Sequence, residues 1–202
     1  MKEITKSNKI ILFFTSILAG YEIVSGIEGY PSHVIILLTI SFGILLLTSL
    51  LLIFLGFGIL EQPAVVVIAS VLPLGISSAV VAINFSDMFV SYLLISLVGF
   101  LTIILSRFVS NKLLAVFSLA SVHAIAGLII FISPLFLYQK GVVNTSFLMV
   151  SLGGAFIGLG GIFLLLLRAN KSLFTSKQIY SLFPTLLFFM TISFIIGFSE
   201  GM

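Results

Sequence analysis

Cysteine and tryptophan are both missing from the 202 residues, and charge nearly so, at 7% Asp, Glu, Lys and Arg. Without cysteine there is no disulfide, thiolate metal site, iron–sulfur cluster or palmitoylation. Without tryptophan, ring anchors at a membrane–water boundary fall to five tyrosines and some of the 21 phenylalanines. The scarcity of charge excludes most: a soluble domain is about one-quarter charged, and this chain does not carry enough to cover itself against water. Catalytic signatures are missing as well. The chain has no His-Glu-x-x-His, no Gly-x-Ser-x-Gly, no phosphate loop and no paired acidic motif for magnesium pyrophosphate. No catalytic residue and no metal site is therefore assigned, and no enzymatic activity of the chain's own is expected. The nine basic residues are scattered along link positions rather than gathered on one face, which argues against a nucleic-acid partner.

Apolar sequence is what the chain has in abundance. Hydrophobic residues make up 60% of it, with a mean hydropathy of +1.38. The runs are continuous rather than alternating, so they read as bilayer-spanning helices and not as barrel strands. Seven spans are expected, at about Ile10–Ile27, His33–Leu60, Ala64–Ile83, Met88–Leu105, Leu113–Ile132, Phe147–Leu167 and Ile179–Phe198. They form one all-α transmembrane domain over residues 1–202. The second span, at ~40 Å by helical rise, is long enough to tilt or protrude. The first follows a basic N-terminus, as a signal peptide would. Glu22 interrupts its apolar run and no small-x-small cleavage site follows, so it is expected as a retained helix.

The basic residues set an orientation. With the N-terminus cytoplasmic, Lys2, Lys6, Lys9, Arg107, Lys112, Arg168, Lys171 and Lys177 share that side and Lys140 alone falls outside. The C-terminus is then external, and the chain is expected as a multi-pass protein of the cell membrane.

Small residues recur at helical spacing on three spans. Ser151, Gly154, Gly158 and Gly161 mark a packing face on the sixth, and similar faces on the first and fifth suggest that these three helices meet at the centre of the bundle. Pro73 and Gly75 are expected to break the third helix, as happens beside transporter binding sites.

Ionisable groups inside a membrane are costly and therefore informative. Glu22 and His123 are such groups, at ~18 and ~16 Å from the same boundary by helical rise. A pair between them would pass a proton, bind a cation or hold a quinone head. Glu28, His33 and Asp87 are candidates for an acidic outer vestibule. His33 and His123 differ by ~14 Å in depth, so the chain alone does not supply both axial ligands of one haem. No cofactor is expected, with a single-histidine haem or a quinone as the exceptions.

Seven spans with a histidine in the fifth resemble the general architecture of the cytochrome oxidase third subunit. The HxxH-type pattern of that family fails at Ser121-Val122-His123-Ala124-Ile125-Ala126, so no residue roles carry over. The first expectation is a non-catalytic integral subunit of a larger membrane assembly, respiratory or otherwise energy-transducing. Its partners would be the lipid bilayer and other membrane subunits or further copies of the chain. The alternatives are a small proton- or cation-coupled transporter using Glu22 and His123, and a haem- or quinone-binding redox anchor.

Overall fold

The computed structural model describes residues 4–25, 29–109, 111–169 and 175–199. Seven α-helices carry it: α1 Lys6–Ser25, α2 Ser32–Leu55, α3 Pro63–Asn84, α4 Ser86–Ser106, α5 Lys112–Gln139, α6 Leu148–Ala169 and α7 Ser176–Ser199. Two short 3-10 segments, Phe57–Glu61 and Thr145–Phe147, precede α3 and α6. All seven α-helices are long and apolar enough to cross a bilayer, which suggests a multi-pass membrane protein.

The helix ends have local causes. Asn111 Oδ1 accepts from the backbone N–H of Leu113 at 3.0 Å and of Leu114 at 3.3 Å, starting α5. Thr175 and Gln178 form a reciprocal capping pair at the start of α7: Thr175 N–H donates to Gln178 Oε1 at 2.8 Å, and Gln178 N–H to Thr175 Oγ1 at 3.3 Å. Pro63 opens α3, where its missing N–H costs nothing. Within the helices, buried hydroxyls bond back to their own backbone, as Thr15 does to Ile11 O and Ser49 to Leu45 O, both at 2.9 Å. That is how polar side chains are accommodated in an apolar interior.

Gly56 corrects the expected second span. At φ 75° it leaves helical space, so α2 stops at Leu55 and the chain continues as the 3-10 segment that ends at Glu61. The expected break at Pro73 and Gly75 is also corrected, because α3 runs on through both residues. A Cβ on Gly75 would collide with Ser41 Oγ and lie 3.3 Å from Leu37 O, so this glycine permits close approach of α3 to α2 rather than a break. The fifth helix is longer than expected, reaching Gln139 with Pro134 inside it.

The main helix pairings are α1 with α2, α2 with α3, α3 with α5, α5 with α6, α6 with α7 and α7 with α1. They close into a ring, with α4 outside it on α3 and α5. The expected central trio of first, fifth and sixth helices is therefore corrected: α1 lies between α2 and α7 and is not packed on α5. Leu38, Phe42 and Leu45 of α2 join Phe194 and Phe198 of α7 in the core, each 1% exposed or less. Large apolar side chains such as Phe54, Leu94 and Phe131 cover the outside, as lipid permits. Short links make successive helices antiparallel. The starts of α1, α3, α5 and α7, and the ends of α2, α4 and α6, thus share one end of the bundle. Lys6, Lys9, Arg107, Lys112, Arg168 and Lys177 collect there, so it is called the basic end; Lys140 lies at the far end.

Candidate functional site

Two glycines one turn apart on α6 define the site. A Cβ added to Gly154 would lie 2.9 Å from Ile130 Cγ2 and 3.0 Å from the Phe131 nitrogen, so α5 and α6 touch there almost backbone to backbone. At Gly158 and Gly161, nearer the basic end, an added Cβ meets nothing within 4 Å. The two helices part below Gly154, and the space between them is a groove of about 990 Å³. That is at the upper limit of the usual range for small-molecule sites, roughly 300–1,000 Å³.

Each wall follows from the sequence spacing. Val116, Ala120, Ala124, Gly127 and Phe131 recur at three and four residues on α5, giving a face with a small-residue middle. Val65, Val66 and Ala69 of α3 form the opposite side, and Leu60 and Glu61 close the basic end. Tyr180 of α7 lies behind, its ring stacked on Phe57 with centroids 4.9 Å apart, and this contact fastens the 3-10 segment to α7. Among the described lining residues only Glu61, His123 and Tyr180 bear polar side chains.

His123 lies eleven residues into α5, or ~16 Å along the helix. Its Nδ1 sits 3.1 Å from Leu119 O. A carbonyl can only accept, so the neutral ring carries its proton on Nδ1 and leaves a lone pair on Nε2. Among the described residues no group bonds Nε2. The third helix adds an acceptor of another kind. Residue 73 is proline, so the Ala69 carbonyl on the groove wall cannot receive the usual N–H from four residues on.

The remaining sequence candidates lie elsewhere. Glu22 is 5% exposed on the same buried face of α1 as Thr15 and Ala19, and no α1 residue is among those lining the groove. Among the described residues, Glu22 and His123 therefore belong to helices that do not form one of the main pairings. His33 stands in the first turn of α2, stacked on Phe89 at 5.0 Å between ring centroids. Asp87 is exposed in the first turn of α4, where a carboxylate suits the helix dipole. Glu28 lies outside the described residues. No group of three or more metal-ligating side chains occurs among the described residues. Ser151 is 3% exposed, and its hydroxyl has no hydrogen-bond partner among the described residues.

Sequence reasoning placed His123 but passed over Glu61 and Tyr180. Glu61 reads as an ordinary link residue, although an acidic side chain at the end where basic residues gather was a usable signal. Tyr180 carried none. The chain matches no protein-family model, no curated protein and no solved structure.

Proposed function

We propose that this is a non-catalytic integral protein of the cell membrane that binds a long apolar molecule in the groove between α3, α5 and α6. The carrying observation is the divergence of α5 and α6 below Gly154, which opens about 990 Å³ beside a small-residue face. Among the described lining residues, side chains are apolar except at three positions, the pattern of a site that holds an apolar body and orients one polar group. In this reading the basic end is cytoplasmic, the C-terminus is external, and Glu61 stands at the inner-leaflet end of the groove.

The quinone expectation is one member of this class. Transport through a Glu22–His123 pair is disfavoured because α1 with α5 is not one of the main helix pairings, and a subunit role rests on the short links, the sparse polar content and the small-residue stripes. Solvent extraction of the purified protein, followed by mass spectrometry, tests the proposal. Wild type should retain a lipophilic molecule enriched over bulk lipid, and Gly158→Phe, which fills open space, should lose it. Bulk lipid in membrane proportions from both proteins would refute it.

A further inference from the structure

The groove is shut at both ends and open along its side. At the far end Gly154 brings α6 onto Ile130 and Phe131 of α5. At the basic end Leu60 and Glu61 of the 3-10 segment stand across it. Between these stops the outward side is apolar and exposed. Leu128 of α5 is 55% exposed and Leu159 of α6 43%, with Ala124, Phe131 and Ile162 exposed beside them. On a bundle that spans a bilayer, that side meets hydrocarbon and not water. The inner wall, Val65, Val66 and Ala69 of α3, is half-buried behind it.

We infer that the groove is loaded sideways from the bilayer, through the opening between α5 and α6 at Leu128 and Leu159, and that its occupant is the hydrocarbon chain of a membrane lipid. This rests on the reading of the groove as a lipophile site. The lining residues from Val116 to Phe131 run ~22 Å along α5, most of the ~30 Å hydrocarbon layer. A flexible chain already in that layer enters without crossing water and without burying a polar group. A partner's transmembrane helix fits less well, being rigid, roughly 10 Å wide and in need of the full ~30 Å. Gly154 stands six residues inside α6, so the contact there closes the groove ~9 Å short of that helix's far end. A ligand arriving from water would have to part Gly154 from Ile130 or displace the 3-10 segment. The stacking of Phe57 on Tyr180 holds that segment to α7.

The chain has no cysteine, so the opening can be closed reversibly. The full chain carrying Leu128→Cys and Leu159→Cys is bridged in detergent with a bis-methanethiosulfonate reagent. It is then reconstituted into vesicles of phosphatidylcholine with a diazirine midway along one acyl chain. After irradiation, adducts are mapped by mass spectrometry. The unbridged protein should carry adducts on Val65, Val66 and Ala69. The bridged protein should lose them, and dithiothreitol added before irradiation should restore them. Leu94, on the exposed face of α4, should be labelled alike in every state. Leu159→Trp, which narrows the opening without a cross-link, should lower the inner-wall adducts while its melting temperature stays near that of wild type. Undiminished inner-wall labelling of the bridged protein would overturn sideways loading and leave the lipophile site standing. Absence of inner-wall adducts in every state, with Leu94 labelled, would overturn both. A co-purified chain cross-linked in the groove would overturn the lipid assignment in favour of a partner helix.

Discussion

Gly154 and Gly158 differ only in what lies across from them, and single substitutions should separate them. Gly154→Val puts a branched side chain where Ile130 Cγ2 already stands 2.9 Å from a Cβ position. It should cost about 1–3 kcal/mol by overpacking, read as a lower melting temperature in detergent. Gly158→Ala meets open space and should leave melting within about 0.5 kcal/mol of wild type, or raise it, because alanine is the better helix former. Tyr30, in the turn before α2, donates its hydroxyl to Phe198 O at 3.0 Å, and burial pushes its pKa up to about 12 from 10.0. A raised folded pKa stabilises the protonated native state below pH 10 and is lost as pH climbs through 12. Tyr30→Phe should therefore melt lower than wild type at neutral pH, by about 0.5–1.5 kcal/mol, with the gap narrowing between about pH 10 and 12. The small residues of α6 were legible from spacing alone. Spacing names a shared face but not its opposite wall, so Gly154 as a contact and Gly158 as a groove lining looked alike. Gly153 and Gly197 went unread because Phe194 and Val150, the side chains they make room for, belong to neighbouring helices in space.

Among the elements, α4 depends most on specific polar contacts, since it lies outside the ring with one face exposed. Tyr92 donates its hydroxyl to Ser77 Oγ at 2.8 Å, and Ser78 and Ser96 hydroxyls lie 3.5 Å apart. A double-mutant cycle with Tyr92→Phe and Ser77→Ala should give a coupling of about 0.6 kcal/mol, and no more than about 1.7, as measured by unfolding in mixed micelles. Zero coupling would mean that this hydroxyl pair adds nothing to the close packing of α4, which includes the approach of Gly99 to α5, where an added Cβ would lie 3.2 Å from Val122 Cγ2. Ser77 and Ser78, after Pro73, serve the α3–α4 interface, and Ser77 also bonds back to Leu74 O at 3.1 Å. Hydropathy located every helix, yet the end of α2 was hidden by an apolar run through Gly56, where a glycine's positive φ rather than polarity stops the helix.

For the whole molecule, the number of helices was readable because apolar length is a one-dimensional signal. Their neighbours were not, because closing α7 onto α1 joins segments more than 150 residues apart. The absence of cysteine makes orientation directly testable. Val109→Cys at the basic end and Val142→Cys at the far end, both at exposed positions, introduce single thiols into a thiol-free chain. An impermeant maleimide added to intact cells should label residue 142, and label residue 109 only after permeabilisation. The reverse result would invert the membrane orientation and put Glu61 at the outer leaflet.

The contact of Gly154 with Ile130 has a mechanical consequence. It is a fulcrum, with the open arms of α5 and α6 on its basic-end side. Ile162 lies eight residues below it, a lever of ~12 Å, so tilting α6 by ~5° moves that rim by ~1 Å. Small changes at the pivot are therefore magnified at the mouth, and the bore of the groove is set by the volume of two side-chain positions well away from its opening.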